Sequence, residues 1–202
     1  MSSKIPKIYI YPSNLGFHLI KRNLQDKEWK KFKLAVKKFN DFFQRYEKSI
    51  VKLIAKYMAA NWTGDKINVW LFSPIFPYPS ISNPPLIKLR EDFQFTTYIL
   101  IHELIHIFFQ LNKLYSKFKP SFNSNYNVDT LDDFIAYKIF KDLFGKKELI
   151  RIKKIKYNII KTQNFKEHET KIQILERKID LNKKPFYQWI KSIDKWLISK
   201  NR

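Results

Sequence analysis

The segment that most constrains this chain is "TTYILIHELIHIFFQLNK", residues 96–113, in which three polar side chains interrupt a run of apolar ones. Two of the chain's four histidines, His102 and His106, lie here four residues apart, with Glu103 between them. The apolar residues on all sides predict a buried helix. Buried polar groups are unfavourable unless they have partners, so these three side chains are expected to share one.

The spacing H-E-x-x-H favours a metal ion as that partner. Residues four apart on an α-helix differ by about 40° in azimuth and about 6 Å in rise, so both imidazoles point the same way and can bind one Zn²⁺. Glu103 lies about 100° round the helix, beside the metal. There its carboxylate can accept a proton from the water that zinc activates and pass it to a leaving amine. A structural His/Glu network without metal is the alternative.

A catalytic zinc site needs a third protein ligand and an open fourth position. The segment "NVDTLDDFIAYKIF", residues 127–140, supplies Asp129, Asp132 and Asp133, which are expected to open a helix that Gly145 ends. Acidic residues in a first helical turn also complement the helix dipole, so the spacing alone leaves open which aspartate binds metal.

These residues resemble the gluzincin branch of zincin metallopeptidases, especially small members with a peptidase-MA-like or minigluzincin-like core. The resemblance covers residues 67–144, and its specific part is the H-E-x-x-H motif. It implies a zinc-dependent metallopeptidase that hydrolyses peptide bonds, with Zn²⁺ as cofactor and Glu103 as general base. The alternative is a basic nucleic-acid-associated or catalytically degenerate zincin-like binding protein. In that branch the third ligand is a glutamate on a following helix, often within E-x-x-A or E-x-x-x-D.

The segment from Asp133 to Ala136 fits E-x-x-A with aspartate in place of glutamate, which makes Asp133 the expected third ligand beside the two histidines. In the alternative E-x-x-x-D alignment, Asp129 is the ligand and Asp133 orients a histidine. Asp132 is expected mainly to serve the helix N-terminus. Aspartate is shorter than glutamate, so the ligand helix has to approach the metal more closely.

The resemblance also implies a donor that stabilises the oxyanion of the reaction. Tyr126, Tyr137 and His168 are candidates by residue type only; His168, like His18, is in no recognisable ligand motif. The resemblance further implies that strand 86–90 pairs with an extended substrate.

The predicted fold is α+β, with a small sheet of about three strands packed by a long N-terminal helix and by the H-E-x-x-H helix. Strands are expected at Lys7–Tyr11, Ile67–Phe72 and Leu86–Arg90, the last at a sheet edge. Apolar residues spaced three and four apart predict a helix over 26–61. Its apolar seam either covers the sheet, which we favour, or binds a partner as a coiled coil. The seam comprises Trp29, Phe32, Val36, Phe39, Phe43, Tyr46, Ile50, Leu53 and Tyr57.

The composition shifts at Lys146, where lysine-rich amphipathic patterns begin. We therefore expect a zincin-like metallopeptidase domain over 1–145 and, over 146–202, a basic helical C-terminal extension of three helices docked on the core.

The formal net charge of +21 permits attraction to nucleic acid, an anionic membrane or an acidic partner. Lysine far outnumbers arginine, however, and the abundance of Ile, Asn, Phe and Tyr is typical of A/T-rich codon usage, which we favour as the explanation. A peptide or protein substrate is the expected partner, with weak non-specific nucleic-acid binding as the alternative. Without an apolar leader or an 18-residue apolar run, a cytoplasmic location and no membrane partner are expected. The sequence does not indicate an oligomeric state.

Overall fold

The computed structural model describes residues 5–14, 26–74, 80–82, 84–114, 125–160, 163–189 and 192. As predicted, the fold is α+β: in the described residues, four helices pack with a small sheet whose order is β1-β2-β4-β3. The first three strands in that order are parallel, whereas β3 is antiparallel to β4. The strands are β1 (Lys7–Pro12), β2 (Lys66–Phe72), β3 (Ile81–Ser82) and β4 (Pro85–Lys88).

Helix α1 (Asp26–Met58) connects β1 to β2, and its apolar seam forms part of the core. Phe39, Phe43 and Ile50 are fully buried, so the interpretation of the seam as a core face is confirmed. Glu47 on the same helix accepts a hydrogen bond from the backbone N–H of Ile8 at 2.7 Å and thereby fixes α1 against β1.

Strand β4 is not at the sheet edge, and the edge prediction for residues 86–90 is wrong. Ile81 and Ser82 of β3 pair with Leu86 and Pro85 on the side of β4 that faces away from β2. The proline-rich segment 73–85 supplies the edge instead, because its residues 81 and 82 return to the sheet and pair with β4. Residues 75–79 and 83 of that segment lie outside the described part of the chain.

Helices α2 (Phe93–Leu111) and α3 (Asn125–Ile160) pack against each other and bring the two predicted site segments together. Helix α3 begins four residues before Asp129, so the expectation that the aspartates open the helix is wrong. Gly145 does interrupt it, with non-helical angles of φ 87° and ψ 167°, but the helix resumes directly. Glycine tolerates this positive φ because it has no Cβ.

The C-terminal region packs into the same core as the rest of the chain. It consists of the second half of α3, helix α4 (Gln163–Lys178) and a 3-10 turn (Phe186–Trp189), and Phe186 stacks on Phe109 of α2 with centroids 5.9 Å apart. The predicted third helix of this region falls largely on residues 190–202, which apart from 192 lie outside the described part. None of the described helices has the length and apolar composition that a membrane crossing requires.

Candidate metal centre

Helix α2 presents the H-E-x-x-H motif from a fixed position at the centre of the fold. Asp92 caps the helix by accepting a hydrogen bond from the backbone N–H of Phe95 at 2.9 Å. Arg151 of α3 forms an ion pair with the same carboxylate and so connects the start of α2 to the C-terminal region. The apolar side chains of the helix are mostly buried, among them Phe95, Leu100, Leu104, Ile105, Phe108 and Phe109.

The two histidines converge through one nitrogen each. Nε2 of His102 and Nε2 of His106 lie 3.0 Å apart. Each Nδ1 faces a carboxylate at 2.8 Å: that of His102 faces Asp133, and that of His106 faces Asp132. A carboxylate can only accept, so both Nδ1 atoms carry a proton, and in the neutral rings both Nε2 atoms present a lone pair. Two lone pairs at this distance repel unless a cation, either a proton or a metal ion, lies between them.

Asp129 completes a three-ligand group with these histidines. Its Oδ1 is 3.5 Å from Nε2 of His106, and ligand atoms of His102, His106 and Asp129 all lie within 4.8 Å of one another. Ligand atoms around a tetrahedral zinc with bonds of 2.0–2.1 Å are about 3.3 Å apart. The separations of 3.0 and 3.5 Å bracket this value, and the third pair, His102 and Asp129, lies within 4.8 Å. The donor types suit zinc, and Asp129 would move towards His102 to complete a tetrahedral set. The Asp129 side chain is 54% exposed, which places this ligand at the open rim of the site.

Asp133, which the sequence analysis predicts to be the third metal ligand, lies behind His102, on the side of the ring away from Nε2. Its carboxylate is 2% exposed and accepts hydrogen bonds from four groups: Tyr98, His102, Lys156 and His168. Burial alone would raise the pKa of Asp133, but the charges of Lys156 and His102 hold it well below its ordinary value. This geometry matches the alternative alignment, in which Asp129 binds metal and Asp133 orients a histidine.

Asp132 is not a capping residue, because it lies fully buried against the ring of His106. Burial raises the pKa of Asp132, and His106 opposes that effect. Burial would lower the pKa of His106, yet its hydrogen bonds to Asp129 and Asp132 raise it to about 10. The pKa of His102 is also raised, because Asp133 outweighs the effect of burial. The site thus has an excess of negative charge that favours a cation.

Glu103 lies beside the histidine pair and is 6% exposed. Burial raises its pKa, while the charges of His102 and His106 act in the opposite direction. Among the residues that the structure describes, none donates a hydrogen bond to the carboxylate of Glu103. A buried carboxylate next to a cation site, with its oxygens uncommitted, is suited to accept a proton from a molecule that enters the site.

Two of the predicted oxyanion donors, Tyr137 and His168, bond to other groups instead of this group of ligands. The hydroxyl of Tyr137 donates to Glu169 at 2.7 Å in the interior, and His168 lies between Thr130 and Asp133. The Tyr126 side chain lies outside the described part of the structure. These placements give Tyr137 and His168 a structural position behind the site.

Two residues that contact the site were missed by the sequence analysis. Lys156 and Tyr98 both donate to Asp133, and Lys156 also donates to the Tyr98 hydroxyl at 3.0 Å. Lys156 is one of many lysines in an amphipathic helix, so its spacing carries no signal of this contact. The contact between Lys156 and Asp133 becomes visible only in the tertiary structure.

Comparisons of this chain with protein-family models, curated proteins and solved structures found no match.

Proposed function

We propose that this chain is a zinc-dependent peptidase in which His102, His106 and Asp129 hold the metal and Glu103 is the general base. The observation that carries the proposal is the pair of Nε2 atoms 3.0 Å apart, each on a ring whose other nitrogen faces a buried carboxylate. A histidine that binds metal commonly donates its second N–H to a carboxylate in this way. The resemblance of the H-E-x-x-H segment to gluzincins supports a peptide bond as the substrate.

Zinc held there would supply Lewis acidity, which polarises a carbonyl group and lowers the pKa of water. The chain's own residues would do the rest. Glu103 accepts a proton from the water that attacks the carbonyl carbon, and it returns that proton to the amine nitrogen as the C–N bond breaks. Its raised pKa favours the first transfer, because it makes the carboxylate a stronger base towards the attacking water.

Asp132 and Asp133 keep the imidazoles in the tautomer that leaves both Nε2 atoms available to the metal. Lys156 and His168 in turn hold Asp133 in place. The reacting groups therefore need no rearrangement of their supports when a substrate enters. Such preorganisation is what electrostatic stabilisation of a transition state requires.

Metal content tests the first half of the proposal. We expect about one zinc per chain in the wild type and a large loss in His106→Ala, measured by elemental analysis after dialysis. Lys38→Ala, an exposed change on α1, is the matched control for handling and should keep the metal. Equal zinc in wild type and His106→Ala would refute the site.

Glu103→Gln tests the second half. Glutamine keeps the size of the side chain but cannot accept the proton of water, so hydrolysis of an unfolded polypeptide should fall by about two orders of magnitude or more. Zinc content and melting temperature should stay near wild type. Unchanged turnover would contradict the peptidase mechanism. If neither protein hydrolyses any peptide while both bind zinc, the alternative of a catalytically degenerate zincin-like binding protein gains support.

A further inference from the structure

A cleft of about 800 Å³ lies away from the histidines, between the break in α3 at Gly145 and the C-terminal end of α4. Eight lysine and arginine side chains line it, against two acidic ones. A volume of this size accommodates a small-molecule ligand. The density of cationic groups there is well above that of the whole chain, in which 39 of 202 residues are lysine or arginine.

Four of these cations come from three parts of the fold and have no carboxylate partner in the described part of the chain. Lys141 and Lys146 lie on either side of the break in α3, Arg177 lies in the last turn of α4, and Lys184 follows that helix. Like charges gathered around one cleft repel each other, and a bound anion would relieve that repulsion. The half-buried ring of Trp189 also lines the cleft, with Nζ of Lys184 5.8 Å from its centroid.

We propose that this cleft binds a compact ligand that carries several linked phosphate groups. Phosphate chains concentrate negative charge in a small volume, and lysine and arginine are the side chains that recognise them. The cations converge on one cleft of about 800 Å³, which suits a small ligand, whereas a nucleic-acid strand needs a groove that continues along the surface. The net charge of +21 would steer such an anion towards the protein. This site is independent of the proposed peptidase activity.

The test is calorimetric titration of the full chain with sodium tripolyphosphate. The protein is first stripped of metal and then dialysed free of chelator, because both zinc and chelators would interfere with polyphosphate. The cleft variant combines Lys141→Gln, Lys146→Gln and Arg177→Gln. The control variant combines Lys30→Gln, Lys38→Gln and Lys48→Gln on α1, so it loses the same charge from exposed positions far along the chain.

We expect tripolyphosphate to bind the wild type at about 50 mM salt and more weakly at about 300 mM, because salt screens exposed charges. The cleft variant should bind about tenfold or more weakly, and the control variant less than about twofold. The three cleft positions are exposed, so circular dichroism should show both variants folded. If the triple variant does not fold, single Lys141→Gln and Arg177→Gln variants should each weaken binding about threefold.

A parallel titration with ATP distinguishes two sources of the phosphate chain. Equal affinity for ATP and tripolyphosphate supports recognition of the phosphates alone, whereas tighter binding of ATP supports a nucleotide that also contacts Trp189. Equal weakening in the cleft and control variants would overturn the proposal, since it would show attraction to net charge only. Tighter binding of an oligo-glutamate peptide or of a single-stranded oligonucleotide than of either phosphate ligand would also overturn it.

Discussion

Substitution of two aspartates one helical turn apart should separate stability from metal binding. Asp133 is buried and accepts from four groups, including the ammonium of Lys156, whose side chain is only 14% exposed. Asp133→Ala leaves the ammonium of Lys156 buried without its partner, which should lower the free energy of unfolding by about 3–5 kcal/mol. Because domains of this size lose about 2–4 °C of melting temperature per kcal/mol, the metal-free protein should melt roughly 6–20 °C lower.

Asp129→Ala is the matched change at the rim. The Asp129 side chain is 54% exposed and lies 3.5 Å from His106. Without metal, Asp129→Ala should therefore lower the free energy of unfolding by less than about 1 kcal/mol. Its zinc affinity should fall the most of any of the aspartate variants, because a ligand is removed. Asp133→Asn keeps the size of the side chain but removes the charge that orients His102, and with it the counter-charge of Lys156. Because no metal ligand is lost, a fall of about 10–100-fold in zinc affinity is expected.

The assay pairs thermal unfolding of metal-free protein, followed by circular dichroism, with zinc competition against a chromophoric chelator. The two measurements should rank the variants in opposite orders. If Asp129→Ala kept wild-type zinc affinity while Asp133→Asn abolished binding, the E-x-x-A alignment would be right and the ligand assignment made from the geometry would be wrong. If Asp133→Ala melted like the wild type, the buried contacts to Asp133 would contribute far less than we infer.

Three further outcomes are expected. Burial would raise the pKa of Asp92, but Arg151 and the backbone N–H of Phe95 lower it below its ordinary value. Ionised Asp92 therefore stabilises the fold above about pH 4, and this contribution is lost as the pH falls through the folded-state pKa. Asp92→Asn should therefore flatten the acid limb of a stability–pH curve by up to about 1 kcal/mol, and an unchanged limb would contradict this. Phe39→Ala should lower the free energy of unfolding by about 3–5 kcal/mol in urea titration, because Phe39 is fully buried. Leu34 on the same helix is 53% exposed, so Leu34→Ala should change that free energy by less than about 0.5 kcal/mol. Binding of a single-stranded oligonucleotide should vanish near physiological salt, and a complex that survives about 200 mM salt would favour a nucleic-acid function.

The sequence by itself determined the features that depend on local periodicity. The 3.6-residue repeat puts His102 and His106 on one face of a helix wherever that helix lies, and spacings of three and four give α1 its core face. Strands β1, β2 and β4 were predicted to within two residues, because β-branched and aromatic runs end at clear turn residues.

Only the tertiary structure decided which aspartate faces the histidines. Asp129 and Asp133 share a face of α3, and the way that helix packs on α2 sets one beside the Nε2 atoms and the other behind His102. The same packing brings Lys156 and His168 to Asp133 from 23 and 35 residues away along the chain. Tertiary structure also places the two-residue strand β3, and not β4, at the edge of the sheet. Contacts at such separations depend on how whole elements dock, and the spacing within one element carries no information about that.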